Sequence, residues 1–488
     1  MKKKFYITTT LPYVNAPPHI GFALEIVQAD VIARYHKELL GEEMFFNTGT
    51  DEHGLKIYEK ALEEKKDPQV YADENAAKFG ILKDALNLSY NNFIRTTDPH
   101  HVAAAQEFWK RCADRGDIEK KLYRTKYCVG CELEKTDSEL ENGNCPIHPN
   151  LEIQLIEEEN YFFKFSKYQK QLLELYGAHP EFVVPASRLG EIRKFVETRL
   201  QDFSISRLRE KMPWGVPVPG DPDHVMYVWF DALVNYVSAL GWPLDAAQGK
   251  PGMFENFWGT REHPNAIQIA GKDNLRQQSA MWQAMLCSAG LPFSRQILIH
   301  GFITSGGQKM SKSLGNVIDP LEIVREYGTD ALRYWLLREM PTFEDGDFTL
   351  ERFKESYNAS LANGLGNLVS RVVKMAFANG VEASKVDMKD DPAFDSFKKY
   401  LDAFEIKKAA DCIWQRIADA DKRIDETKPF KLVKEKPEEA KKILTELLEE
   451  IQIIASMLKP FLPETSVKIT EALERPESIQ PLFPRIEK

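Results

Sequence analysis

The stretch from Phe5 to Thr48 admits few folds. Phe5 to Thr10 is rich in β-branched and aromatic residues and reads as a buried strand. From Ile20 the apolar residues Ala23, Leu24, Val27, Val31, Tyr35 and Leu39 recur at helical spacing until Gly41 stops them. A second strand follows from Met44 to Thr48. This is a βαβ unit, which requires a parallel sheet and places ligands where the first strand ends and the helix begins. Leu11-Pro-Tyr-Val-Asn-Ala-Pro-Pro-His-Ile-Gly-Phe-Ala-Leu-Glu25 fills that junction. His19 can donate a hydrogen bond to a phosphate oxygen, and free N–H groups at a helix start attract anions. Gly21 lets a bulky ligand approach the backbone. On these residues alone a phosphate site and a plain helix start are both open.

The 488 residues suffice for several domains, and 28% charged with 43% hydrophobic residues is the balance of a water-soluble globular chain. No run approaches the ~20 apolar residues of a membrane span. The basic N-terminus lacks a following apolar segment, so it is no secretory signal and a cytoplasmic location is expected. A net charge of −10 argues against a protein that coats nucleic acid non-specifically, while leaving room for a local basic face.

Along the chain, Lys65 to Leu86 and His101 to Arg115 read as helices, the second started by Asp98-Pro99. Leu122 to Tyr127 reads as a short strand, Asn142-Gly143 as a hairpin turn, and Tyr161 to Phe165 as a returning strand followed by a helix through Tyr176. Val225 to Phe230 reads as a strand running into a helix with Ala232, Leu233, Tyr236 and Val237. Ala266 to Ala270 and Ile297 to Ile303 are further strands. A polar, Gly-rich loop, Thr304 to Gln308, leads to Lys309-Met-Ser-Lys-Ser313. After Thr349 the pattern is helical. Phe353, Tyr357, Leu361, Leu365, Leu368, Val372 and Met375 form one stripe; Ile443, Leu447, Ile451, Ile454 and Leu458 form another. The fold class is therefore α/β, a Rossmann-like parallel sheet with an insertion, plus a C-terminal helical bundle.

Cys128-Val-Gly-Cys131 and Cys145-Pro-Ile-His148 are separated by 13 residues. Two tight pairs of N/S ligands match a tetrahedral structural Zn2+ site, the alternative being free thiols beside a chance histidine. Four protein ligands leave no open position, so the metal would fold the knuckle rather than react. Cys112, Cys287 and Cys412 have no such context.

His19-Ile-Gly21 and Lys309-Met-Ser-Lys-Ser313 stand about 290 residues apart on two halves of one α/β domain. This pair resembles the signature motifs of class I aminoacyl-tRNA synthetases. Thr10-Leu-Pro-Tyr-Val-Asn15, Gly49-Thr-Asp-Glu-His-Gly54, the Cys/Cys/Cys/His knuckle, Trp214-Gly-Val-Pro-Val-Pro219, Tyr227-Val-Trp-Phe-Asp-Ala-Leu233 and Gly271-Lys-Asp273 look like the methionyl-tRNA synthetase family. The resemblance spans essentially the whole chain. It implies activation of methionine by ATP with Mg2+, then transfer to methionine tRNA, initiator and elongator.

The resemblance implies that His19, Lys309 and Lys312 are catalytic, holding the triphosphate and its developing charge, with Gly21, Lys272 and Asp273 completing the ATP site. It places Leu11, Tyr13, Asp51, Trp229, Ala232, Leu233 and Tyr236 around methionine, with Asp51 available for the ammonium group and the aromatics for the thioether. Core packing is the plain alternative for Trp229 and Tyr236. Arg207 could meet a carboxylate or phosphate bidentately. Asn367 and Arg371 align with anticodon contacts, and Phe430 either stacks on a base or packs in the core. The implied division is 1–115 and 224–318 for the two catalytic halves, 116–223 for the insertion with the knuckle, 319–353 for a stem-contact region and 354–488 for anticodon binding. In this family an extra C-terminal tRNA-binding domain mediates dimerisation. A chain ending at Lys488 has no room for it and is expected to be a monomer.

The chain departs from the family pattern at Phe22, where the first motif usually ends in a second histidine, and at Asn274 and Gln278, where the amino-acid pocket usually has an aliphatic residue and a histidine. Sibling enzymes for leucine, isoleucine or valine carry a far larger insertion. A cysteine enzyme would place zinc in its pocket. A small-molecule nucleotidylyltransferase would not need the helical tail, and a non-catalytic tRNA-binding relative would not need Lys309 and Lys312.

Overall fold

The structure is a computed structural model that describes residues 2–486 apart from 132, 136, 199, 244–251, 311–314, 385, 387, 389–390 and 479. Lys312 alone of the expected site residues lies outside the described residues. β1 (Lys4–Thr8) and β2 (Glu43–Thr50) pair in parallel, Phe5 beside Met44 and Ile7 beside Phe46, with α1 (Ile20–Arg34) crossing between them. The helix continues as a π-helical turn, Tyr35–Leu39, and Gly41 at φ +69° releases the chain. Both strands and α1 are buried nearly throughout, which is why their sequences are apolar runs rather than alternations.

Among the described residues the central sheet runs β3 (Asn92–Arg95), β2, β1, Ala266–Gly271, Gln296–His300, Val183–Val184, every pair parallel. Strand order reverses between β1 and Ala266–Gly271. Connections therefore leave in opposite directions there, and a crevice opens at the carboxyl ends of those two strands.

Four expectations are corrected. Ile297 to Ile303 is not one strand: Gln296–His300 joins the central sheet, whereas Ile303–Ser305 belongs to a separate sheet and forms a hairpin over the expected loop Thr304 to Gln308. The strand expected over Leu122 to Tyr127 is Ile118–Cys128, paired antiparallel with Gln154–Phe163. Its middle stands in solvent, with Leu122 73% exposed and Arg124 opposite Glu157, so no hydrophobic alternation marks its length. The helix expected over Lys65 to Leu86 is two, Pro68–Gly80 and Leu82–Ala85, after a separate Leu55–Glu63; Lys65 at φ +55° and the Asp67 cap break the run. Val225 to Phe230 is not one strand. Asp221–Met226 is the strand, Tyr227 caps, and Val228–Ala232 is helical.

The tail packs as expected. The stripe from Phe353 to Val372 is buried, and Met375 packs half-buried against it. Tyr357, Leu361 and Leu365 step by four residues, more than one 3.6-residue turn, and there the helix widens to a π-helix, Tyr357–Gly366. Arg333, fully buried, ties this tail to the sheet. It donates to the carbonyls of Phe461 (2.8 Å), Pro460 (3.0 Å) and Leu86 (3.0 Å), and pairs with Asp30 of α1 at 2.8 Å. The α1 that begins at His19 is thereby anchored near its far end to the helical tail.

Candidate active site

The carboxyl ends of β1 and β2 bring the first set of expected residues together. Asp51 donates its N–H to the Pro12 carbonyl (3.0 Å) and accepts from Val14 N–H (3.3 Å), so Leu11 to Val14 runs beside it and Tyr13 bridges to Asp51. Asp51 is buried. The neighbouring Glu52, also fully buried, fixes this turn. Its oxygens accept from Arg95 Nε (2.7 Å), Arg95 (2.8 Å), Thr50 Oγ1 (2.6 Å) and Thr97 Oγ1 (2.5 Å). Trp214 docks on the same turn, its Nε1 donating to the Glu52 carbonyl at 2.6 Å while its own carbonyl accepts from Gly54 N–H. The Trp214 and Gly49–Gly54 motifs are thus two sides of one contact.

The helix Val228–Ala232 supplies the facing wall. Trp229 and Tyr13 pack half-buried against Tyr127, Tyr227 and Val228, and Ala232, Leu233 and Tyr236 are buried behind them. Tyr236 is held at both ends: its carbonyl accepts from Tyr6 Oη (2.8 Å) and its hydroxyl from Gln278 Nε2 (2.8 Å). Gln278 in turn accepts from Gln268 Nε2 at 2.9 Å. The departure at Gln278 therefore builds a polar floor beneath the tyrosine.

Sequence reasoning missed the group that joins these walls. Asp231, fully buried, accepts from His53 Nδ1 (2.7 Å) and His101 Nε2 (2.9 Å), and His101 Nδ1 meets Ser238 Oγ at 2.9 Å. Burial would raise this carboxyl, but the two histidines outweigh it and hold it at about 2. His53 lies two residues beyond Asp51, and Asp231 lies between Trp229 and Ala232. The signal, His and Asp inside the two quoted motifs, was visible, but their separation of 178 residues hid the pairing.

The opposite side of the crevice is more open. His19 caps α1, its Nδ1 accepting from Gly21 N–H at 3.0 Å, which fixes Nε2 as the protonated nitrogen. Neighbouring protein lowers its pKa, although the ring stands exposed at the surface of the crevice. A Cβ on Gly21 would lie 2.8 Å from the His19 ring and 3.9 Å from Met310. Gly21 thus leaves room for the folded-back imidazole, a second reason for glycine beside room for a ligand. Phe22 turns away to meet Phe79 edge-on at 5.5 Å. It serves a small apolar cluster with Val14 and Ile57.

Lys309 is exposed on the two-residue strand Gln308–Lys309, which forms a hairpin with Ile303–Ser305. Lys272 sits at the end of Ala266–Gly271, paired with both oxygens of Asp345 at 2.8 and 2.6 Å and over the Phe302 ring. Asp273 stands exposed beside it. Glu25 and His300, a buried pair at 3.0 Å, close the base of the crevice, with Glu25 also accepting from Thr10 N–H and Oγ1. Arg207 does not reach this crevice as a free fork. It bonds Ser204 Oγ (2.7 Å) and the Ser206 carbonyl (2.8 Å) and lies over the Tyr227 and Tyr127 rings.

Cys128, Cys131, Cys145 and His148 converge, all four ligand atoms lying within 4.8 Å of one another. Cys131 Sγ is 3.2 Å from His148 Nδ1 and 3.5 Å from Cys145 Sγ; Cys128 Sγ is 3.8 Å from His148 Nδ1. A tetrahedron with Zn–S of about 2.3 Å and Zn–N of about 2.0 Å has edges of about 3.5–3.8 Å, so the donor set fits the ion. A Cβ on Gly130 would lie 2.4 Å from His148, which explains a glycine between the first two cysteines. Asn142 (φ +51°) and Gly143 (φ +81°) form the expected hairpin turn. Lys56 ties the knuckle back to the sheet domain through the Gly130 carbonyl at 2.9 Å.

On the tail, Asn367 is exposed, Arg371 is half-buried with Asp421 3.9 Å away, and Phe430 is 45% exposed on Pro429–Glu435. Exposure settles Phe430 against core packing.

A parallel sheet whose switch point brings His19-Ile-Gly21 beside the hairpin that carries Lys309 is the framework of a class I aminoacyl-tRNA synthetase. The family described as tRNA synthetases class I (M) matches residues 5–153 and 149–373, and the anticodon binding domain of methionyl tRNA ligase matches 379–482. A methionine–tRNA ligase of a Synechocystis species is 42% identical over 96% of this chain and 89% of its own length; one of a Nostoc species is 43% identical over 97% and 90%. Mycobacterium tuberculosis methionyl-tRNA synthetase in complex with methionyl-adenylate superposes with a TM-score of 0.89, at 33% identity and covering 99% of this chain and 100% of that one. The chain belongs to the methionyl-tRNA synthetases, the methionine–tRNA ligases of class I. No helix among the described residues is long and apolar enough to cross a membrane.

Proposed function

We propose that the crevice performs both steps of methionine activation and transfer with the residues named above. The observation that carries this is the convergence of two walls on one strand-switch crevice, Tyr13 and Asp51 against Trp229 and Ala232, beside His19 and the Lys309 hairpin. Asp51 pairs with the ammonium group of methionine. Trp229, Leu11, Leu233 and Tyr236 enclose the thioether. The methionine carboxylate then attacks the α-phosphorus of ATP, and the bond to the β-phosphate breaks to release pyrophosphate. Such a reaction needs positioning and charge stabilisation rather than a protein nucleophile. His19 Nε2–H donates to the phosphates, Lys309 and Lys312 neutralise the charge that develops, and Lys272, Asp273 and Gly21 line the nucleotide. In the second step a ribose hydroxyl of the tRNA 3′ end attacks the activated carbonyl and AMP leaves.

The proposal includes ATP entering with Mg2+, and a Zn2+ ion held by Cys128, Cys131, Cys145 and His148 that stabilises the knuckle. It also includes Asn367, Arg371 and Phe430 reading the anticodon of initiator and elongator methionine tRNAs alike. The division at 115, 223, 318 and 353, a monomer and a cytoplasmic site of action complete it. Supporting the reading is the match of the tail to an anticodon-binding family. The test is exchange between ATP and labelled pyrophosphate. Methionine should stimulate it and leucine or cysteine should not; stimulation by another amino acid alone refutes the reading. Metal analysis should give one zinc per chain, and chelation should expose 128–148 to protease before the sheet.

A further inference from the structure

The strand Gly346–Phe348 lies outside every motif discussed so far, yet it holds the hairpin that carries Lys309. It pairs in parallel with Ile303–Ser305, Thr304 opposite Asp347. Asp347 Oδ1 accepts two hydrogen bonds, from Gly307 N–H at 2.7 Å and Thr304 Oγ1 at 2.7 Å. Gly306 (φ +60°) and Gly307 (φ +75°) are the two turn residues between Ser305 and Gln308, so the carboxylate grips the turn itself. Two residues back, on the same strand face, Asp345 holds Lys272 and accepts from Phe302 N–H at 2.9 Å. The segment has no slack: a Cβ on Gly301 would lie 2.1 Å from the Glu344 carbonyl oxygen. Behind it, Arg352 donates to the Asp347 carbonyl at 3.2 Å, and Phe348, Phe353 and Trp335 pack edge-on or tilted against one another in the core shared with the helical tail. The Gly307 N–H holds the Asp347 carboxyl below its ordinary range, so it is ionised at neutral pH.

We infer that Asp347 is a positioning residue for adenylate formation: its carboxylate fixes the Gly306–Gly307 turn and so sets where Lys309 enters the crevice. The inference rests on the reading that Lys309 works on the ATP phosphates. Asp347 touches no substrate and acts through the turn. A charge-assisted bond lost here should cost about tenfold to a hundredfold in the step it serves.

The test is single-turnover formation of methionyl-adenylate by the full chain carrying Asp347→Ala, Asp347→Asn or Lys309→Ala, with methionine affinity read separately from tryptophan fluorescence. Asp347→Ala should slow adenylate formation with methionine affinity unchanged. Asp347→Asn, which keeps an acceptor oxygen, should recover most of the rate. An Asn variant as slow as Ala, or an equal loss of methionine affinity in Asp347→Ala, overturns the inference. If Lys309→Ala is slow while Asp347→Ala runs at the wild-type rate, only this inference falls. If both run at the wild-type rate, the reading of the Lys309 loop falls with it.

Discussion

The two sides of the crevice are built on opposite principles. On the side of Asp51 and Trp229 the walls are buried or half-buried and tied to one another: Glu52 pins one, Asp231 joins both, and Gln278 props Tyr236. On the side of His19 and Lys309 the polar groups are exposed or engaged elsewhere, Lys272 with Asp345 and the hairpin turn with Asp347. The contrast suits the tasks proposed for the two sides. Choosing one small apolar side chain among near-isosteres yields little discrimination per contact, so a pocket that does it benefits from fixed walls. A triphosphate must enter and pyrophosphate must leave, which suits groups that can exchange partners.

The largest expected effect breaks the rigid side. Asp231→Asn cannot accept from both histidines at once and should lose about 3 kcal/mol of stability and about a hundredfold in kcat/KM for methionine, with the KM for ATP little changed. Urea unfolding and steady-state kinetics read both, and an equal change in the KM for ATP would erase the distinction between the sides. On the open side, Lys309→Ala and Lys312→Ala should each slow adenylate formation about a hundredfold with methionine affinity intact. Quenched-flow rates decide this, and a loss of methionine binding contradicts the assigned role. Phe430→Ala, far from both sides, should weaken tRNA binding by about 1–3 kcal/mol while leaving pyrophosphate exchange alone. Equal damage to both reactions would make it a structural residue.

The smallest effect concerns the base shared by the two sides. Burial lowers the His300 pKa, but Glu25 outweighs it and raises the value above that of the unfolded chain. The pair therefore stabilises the fold fully below the unfolded value of about 6.5, and this contribution is lost as pH rises through the folded value. The stability gap between wild type and His300→Gln, followed by thermal unfolding, should be widest in mild acid and narrow in alkali. A gap that widens with pH contradicts the pairing.

How far the sequence could be read tracks the same contrast. β1, α1 and β2 were legible because each is a long apolar run bounded by clear stop signals, Pro17-Pro18 before the helix and Gly41 after it, and the knuckle because its ligand spacing is set by coordination geometry. The helix Val228–Ala232 was mistaken for strand because its neighbourhood is buried on all sides and leaves no period to read. The extent of Ile118–Cys128 was missed for a different reason: Leu122 and Arg124 stand exposed in its middle, so no apolar face marks its length. Tyr13, Asp51, Trp229 and Lys309 could be singled out because each sits inside a contiguous motif. Asp231, Glu52, Arg333 and Asp347 were invisible because their partners lie far away in sequence and only the fold brings them together.

Hydrogen exchange on the ligand-free enzyme, then with methionine, then with a non-hydrolysable methionyl-adenylate analogue, tests the contrast most directly. Segments 11–14, 51–54 and 227–236 should be protected from the start and change little. The hairpin 303–309 should exchange fast until the adenylate analogue is added and then slow. If 227–236 exchanges as fast as 303–309 in the free enzyme and slows only with methionine, the amino-acid side is assembled by its ligand and the account is wrong.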